Sequence, residues 1–423
     1  MKRIFLVAII ATVIVFFNAC RKPKYANDKN YTTHIVPLGI AQKVAQKISV
    51  NYFKNANNIS RTSDEDFPIL DRRISNYYSF NDENDNVALW VFNYINDSGF
   101  VVISADTWHQ PICAYVEQGQ FSPDDSVPGM LDEWFQKTVE NIQFLRDGTY
   151  SDTAMGKIAW YHLLEQTDLS AYQDQLKVAP IDPPHDCNEG WTTTTVNPLV
   201  NTIWGQQCTY NESCPTGSCY NFCNSANHHK PTGCVATAMA QVIHYWHPSN
   251  SYSYNYNSMP VNQGNSEVQR LMSDAGDNVA MSYHCVSSGG SGANSTAIPA
   301  GLVGTSFNPG FGFASATQHS YGAGSYSTVV GNLDNGWPVL LGGYASRKNY
   351  VIFHIPTDGH EWVCDGYKQF SNECYSYLYF HMNWGWHEMG LPTDYNGWYA
   401  FDVWSNGNGN FQYARDYVYN IHL

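Results

Sequence analysis

The sequence predicts an α+β protein built as two folded units with a polar linker between them. Three observations carry that prediction. Residues 36–165 read as a helix, three strand-like runs and a second helix. Residues 192–423 read as a helix first and strands afterwards. Between them, residues 166–191 are polar and hold Pro180, Pro183 and Pro184. At 423 residues the chain is also longer than one core supports.

The N-terminus reads as a targeting segment. Lys2 and Arg3 precede an apolar run, Ile4 to Phe17, that is short for a membrane span. It ends in Phe17-Asn18-Ala19-Cys20, which resembles a bacterial lipobox. The expectation is a signal peptide over 1–20, lipidation of Cys20 and a tether over 21–35 leading from a membrane to the first folded unit. The chain is then exported and membrane-anchored, with release of the second unit possible after cleavage in the linker.

In the first unit, Leu38, Ala41, Val44, Ala45, Ile48 and Tyr52 fall on one helical face. Strand-like runs follow at 88–94, 99–104 and 112–116, with Asn96-Asp97-Ser98-Gly99 as the clearest turn. Pro128 opens a further amphipathic helix through Met130, Leu131, Trp134, Val139, Ile142 and Leu145. No pair of residues in this unit suggests catalysis. The linker is expected to be exposed and open to proteolytic nicking.

The second unit is organised around Gly233-Cys234 and the segment after it. Apolar residues at 235, 238, 239, 242, 243 and 246 give one buried helical face, and Pro248 ends the helix near Trp246. Cys234 therefore opens the helix, where free N–H groups and the helix dipole favour a thiolate and a lowered thiol pKa; a small buried cysteine that only packs is the other reading of this stretch. Strands are expected at 338–344, 360–366, 375–382 and 398–403. A helix with its cysteine in front of a sheet suggests a papain-like, two-lobed arrangement.

A thiol nucleophile needs a base. His244 and His247 lie at the far end of the cysteine helix, and His228 and His229 in a polar loop. His354, His381 and His387 stay open, but His360 has the best context, opening a strand after Thr357-Asp358-Gly359. Asn383 could orient the imidazole and the Trp384 ring could shield that bond from water. Gln206, in Trp204-Gly205-Gln206-Gln207, could donate to an oxyanion together with the Cys234 N–H.

Composition narrows the alternatives. Net charge is −15, and after residue 187 the basic residues are only Lys230, Arg270, Arg347, Lys348, Lys368 and Arg415, so no phosphate-binding face and no nucleic-acid partner is expected. Setting aside Cys20, Cys234 and Cys113 leaves Cys187, Cys208, Cys214, Cys219, Cys223, Cys285, Cys364 and Cys374, an even set that suggests disulfides in an exported chain. Cys214, Cys219 and Cys223 lack the paired spacing of a zinc site, and no metal or cofactor is expected.

Four segments in order, Gly233-Cys234-Val235-Ala236-Thr237-Ala238, Leu271 to Gly276 with Met281-Ser282-Tyr283 and the Ser/Gly loop after it, Gly359-His360 through Asp365-Gly366, and Asn383-Trp384-Gly385-Trp386, resemble the streptopain-like cysteine peptidases. The first unit, through Gly99 to Asp106, resembles that family's inhibitory propeptide. The resemblance implies a papain-like cysteine peptidase domain over 192–423 and an inhibitory propeptide over 36–165. It implies Cys234 as nucleophile, His360 as base and acid, Gln206 as oxyanion donor, Trp384 as shield and Asn383 as a support. Ser288, Gly290 and Gly359 would line the substrate cleft. Partners are then protein or peptide substrates and the chain's own propeptide. A catalytically inactive surface-binding module and a transglutaminase-like acyl transferase are the alternatives. Two places depart from the family pattern: Glu361 beside the base, expected on the opposite face of its strand with modest effect, and His387-Glu388-Met389-Gly390-Leu391-Pro392 at the cleft rim.

Overall fold

The computed structural model describes residues 34–48, 50–53, 73–123, 129–149, 153–178, 192–220, 223, 228–322, 324–349, 354–371, 376–387, 394–401 and 413–423. The lipobox at Cys20, the tether up to residue 33, Cys187, Cys374 and the rim at 388–393 lie outside the described residues. Residues 34–423 group as a single compact unit.

The first unit follows the expected order with additions. Helices α1 (Leu38–Lys47) and α2 (Val50–Phe53) replace one continuous helix, because Ile48 turns to an extended conformation. Strands β1 (Ile74–Asn81), β2 (Val87–Tyr94), β3 (Phe100–Ser104) and β4 (Ile112–Val116) form an antiparallel meander. Helices α3 (Gly129–Arg146) and α4 (Ala154–Gln166) complete it. Arg146, buried at the end of α3, donates to Asp82 and Asp106 at 2.8 Å each and ties the helix to the strand ends. The linker is shorter than expected. Leu169, Leu176 and Val178 are buried against the core, so residues 167–178 are folded, and only 179–191 lie outside the described residues.

In the second unit, β5 (Thr192–Val196) precedes α5 (Cys234–Trp246), α6 (Ser266–Asn278) and α7 (Ile298–Val303). Then come β6 (Ser315–Ser320), α8 (Ser325–Asp334), β7 (Val339–Asn349), β8 (His354–Ser371), β9 (Ser376–Asn383), β10 (Gly397–Ala400) and β11 (Tyr413–His422). Helix α5 ends where the sequence predicts. Its last carbonyls are closed by His247 in the left-handed conformation at φ 47°, just before Pro248. The expected turn at 357–359 is strand instead, so His360 lies well inside β8 rather than at its start.

All of these strands join one sheet in the order β1-β2-β3-β4-β10-β9-β8-β7-β11-β6, with β5 added on β8. The two units thus share a sheet, sealed where β4 pairs antiparallel with β10, Val116 opposite Gly397. Gly397 is needed there, since a Cβ would lie 2.3 Å from the Tyr115 carbonyl. Aromatic rings fill the seam: Phe53 stacks on Tyr115 and Trp398 at 5.2 and 5.6 Å, and Trp134 meets Tyr399 edge-on at 5.4 Å. One face of the second unit's strands packs on this seam through Leu341, Trp362 and Cys364. The other, through Leu340 and Val363, packs on α5, α6 and α7. That is the helical lobe against sheet lobe of a papain-like α+β fold.

Bridges join Cys208 to Cys223 and Cys219 to Cys285. Cys214 and Cys364 are buried free thiols, so the even set of eight does not pair completely. The second bridge ties the stretch before α5 to the Ser/Gly loop.

Candidate active site

Cys234 is placed by a glycine that only a glycine can replace. Gly233 has φ +86°, and a Cβ there would lie 2.7 Å from Met281 Sδ and 3.1 Å from the Ser291 carbonyl. The Ser/Gly loop therefore closes against the turn that presents the sulfur. It is held by Ser282–Gly292 backbone pairing, with exposed Ser288 and partly exposed Gly290 at its tip.

The oxyanion candidate sits alongside. The Thr232 N–H donates to the Gln206 carbonyl at 2.9 Å, fixing the Gln206 segment to the turn that leads into Cys234. Gly205 packs on the His387 backbone so closely that a Cβ would lie 1.8 Å from its carbonyl oxygen. The buried Gln206 side chain points its amide nitrogen at the Gly385 carbonyl, 3.5 Å away.

His360 is half-buried. Its Nε2 stands 2.8 Å from the Trp384 carbonyl oxygen. A carbonyl only accepts, so Nε2 carries the proton and Nδ1 keeps the lone pair a base needs. The ring is walled by Trp386 at 4.9 Å and Trp362 at 5.9 Å, and Trp384 stacks on Trp386 at 5.1 Å. Trp386, named in the Asn383–Trp386 segment but given no role there, is a member of this wall.

Asn383 does not orient the imidazole. Its amide donates to the Thr202 carbonyl at 2.6 Å and to Gln241 at 3.0 Å, and accepts from Gln241 at 3.3 Å. The physical reason is strand alternation: Asn383 pairs opposite Val363, on the α5 side of the sheet, whereas Trp384 follows it. Gln241, fully buried two turns into α5, also accepts from Thr202 and the Trp204 N–H at 3.2 Å each. It pins the helix, the Trp204–Gln206 strip and β9 together. A polar residue inside an apolar helical face was the signal for it.

No hydrogen bond joins the Cys234 sulfur to the His360 ring in this state, among the described residues. Burial pushes the thiol up to about 11, against smaller favourable contributions from the Glu361, Val235 and Cys234 backbone N–H groups; the Glu361 carboxyl raises it further. The expected lowering by the helix start is thus overridden by desolvation. Burial likewise lowers His360 to about 4, against the Trp384 carbonyl. Thiol and imidazole are both neutral at pH 7, and the His360 ring lies with Trp362 on the face of β8 turned away from α5, so this state does not pair it with the sulfur.

Strand alternation also explains Glu361. It faces away from His360, as the sequence predicts, but the face it takes is the one beside Cys234. It leaves the base alone, since only burial and the Trp384 carbonyl move His360; it is itself 4 % exposed, and burial and then Asp416 raise its carboxyl well above the usual range.

Comparison with known proteins places these features in context. The sequence model of the Peptidase C10 family matches residues 204–263 and 248–399, and that of the Spi protease inhibitor matches residues 38–142. Streptopain from Streptococcus pyogenes serotype M1 is 23% identical over 338 residues, covering 70% of this chain and 71% of its own. Streptopain sequences from other serotypes, M3 and M18 among them, are 22% identical over the same length. A solved fragment of prointerpain A from Prevotella intermedia shares the fold, with TM-score 0.51 and 24% identity over 82% of this chain and 99% of that one.

Proposed function

From the premise that the chain belongs to the Peptidase C10 family, a cysteine-type peptidase behind a Spi-type inhibitor domain, we propose that it is an exported, lipid-anchored endopeptidase zymogen with Cys234 and His360 as its catalytic pair. After the inhibitor domain leaves, the His360 ring turns toward α5, its Nδ1 takes the Cys234 proton and the sulfur attacks a peptide carbonyl. The oxyanion is met by the Cys234 N–H and the Gln206 amide, the imidazolium returns its proton to the leaving amine, and an acyl-enzyme remains. Water, deprotonated by the same imidazole, then releases the acid and restores the thiol.

The observation that carries this reading is the Nε2–Trp384 contact, which leaves the basic nitrogen of His360 free. The sulfur, for its part, stands at the start of α5 among backbone N–H groups. Asn383 supports the site through α5, and Gly359 and the Ser288–Gly290 loop border the cleft. The shared sheet supports inhibition in cis: leaving strips β4 from β10 and exposes an aromatic seam, so release needs cleavage, most simply within 179–191.

The test is thiol chemistry on the processed chain. It is expected to degrade a denatured protein only under reducing conditions, and iodoacetamide is expected to abolish that activity while adding one label at Cys234. Full activity with Cys234 alkylated would overturn the reading.

A further inference from the structure

Resting on that reading, we propose that Glu361 and Asp416 form an acidic pocket beside Cys234 that selects substrates with a lysine or arginine side chain within two residues of the scissile bond. Gly342 on β7 lies between the two acids, opposite Glu361 on β8 and opposite Asp416 on β11. A Cβ at Gly342 would meet Glu361 Oε2 and Asp416 Oδ1 at 2.3 Å each, so both carboxyl oxygens pack over Gly342 as closely as only a glycine allows. Ser295, from the helical lobe, and Gln318 both donate to Asp416 Oδ2, the latter at 2.8 Å, and leave Oδ1 turned toward Glu361.

Glu361 Oε1 is buried and has no hydrogen-bond partner. An unsatisfied buried carboxyl oxygen is destabilising, which marks a group held for a ligand. Among the described residues, no lysine, arginine or histidine forms an ion pair with either acid. The pocket thus has two acids, an open acceptor and no internal cation, which is the chemistry that takes an ammonium or guanidinium group.

Its place ties it to the reaction. The Glu361 backbone N–H meets the Cys234 sulfur, and Glu361 follows the base directly in sequence. Tyr344, half-buried, leans over Gly359, where a Cβ would lie 2.7 Å from its ring, and forms the outer wall.

The experiment compares peptides that differ only by Lys, Arg, norleucine or Glu at each of the two positions on either side of the bond. The enzymes are the processed full-length protein and its Glu361→Gln, Asp416→Asn and Cys234→Ala forms. The wild type is expected to favour Lys or Arg over norleucine at one position by at least tenfold in kcat/KM. That ratio should fall about tenfold or more in Glu361→Gln and in Asp416→Asn. Equal use of Lys and norleucine by the wild type, or an unchanged ratio in a folded variant, overturns the proposal; so does equal loss of all peptides in both variants. If Glu361→Gln does not fold, the wild-type ratio and Asp416→Asn decide. Cleavage by Cys234→Ala at the wild-type rate would instead sink the catalytic reading beneath it.

Discussion

Cys234→Ala is expected to lower peptide hydrolysis at least about 10⁴-fold and to stop any self-processing, with the fold retained. Where a nucleophile and its base act as a unit, losing the nucleophile forfeits nearly all of their joint contribution, and only binding and oxyanion stabilisation are left. The position tolerates alanine. The side chain is small and half-buried, and the turn that presents it depends on Gly233, not on the sulfur. Activity on a denatured protein, with a thermal melt as the control for folding, checks this; a folded variant within tenfold of the wild type would be decisive against Cys234.

His360→Ala is expected to cost about 10²–10⁴-fold in kcat/KM, the usual range for a general acid–base. It should also slow iodoacetamide at Cys234 in the processed chain, because no imidazolium then supports the thiolate. A merely structural role, filling the space between Trp362 and Trp386, would lower the melting temperature and leave thiol reactivity unchanged. The two outcomes separate base from packing.

Much of the fold is local and was legible. The α5 limits follow from Gly233, Pro248 and the apolar stripe, and β4 is predicted residue for residue, because turns and apolar runs bound them. What was not legible is non-local. Strand β6, Ser-Ala-Thr-Gln-His-Ser, has no apolar alternation and is a strand only because β11 pairs with it. The β4–β10 seam joins segments from opposite ends of the chain, and nothing in either names the other. At the site, Cys234, His360, Gln206 and Trp384 stand out as motifs. The His360 contact with the Trp384 carbonyl does not, since any residue at 384 brings a carbonyl. Glu361 was placed on the correct face, but its weight depends on Asp416, a residue far along the chain with no motif around it.

On the proposed function, Cys234 is a neutral thiol in the intact chain and is expected to become a thiolate once the inhibitor domain is gone. The direct measurement is the rate of iodoacetamide addition to Cys234 from pH 6 to 10, in a partly processed sample with the intact and processed species resolved by mass. With the thiol near 11 in the intact chain, few molecules are thiolate at pH 7, and the rate should climb about tenfold per pH unit up to pH 10. A processed dyad, with a thiol pKa of roughly 3.5–7.5, should react about 50-fold faster at pH 7 even after its lower intrinsic nucleophilicity is counted, and level off above it. Equal rates and equal pH profiles for the two species would contradict the account.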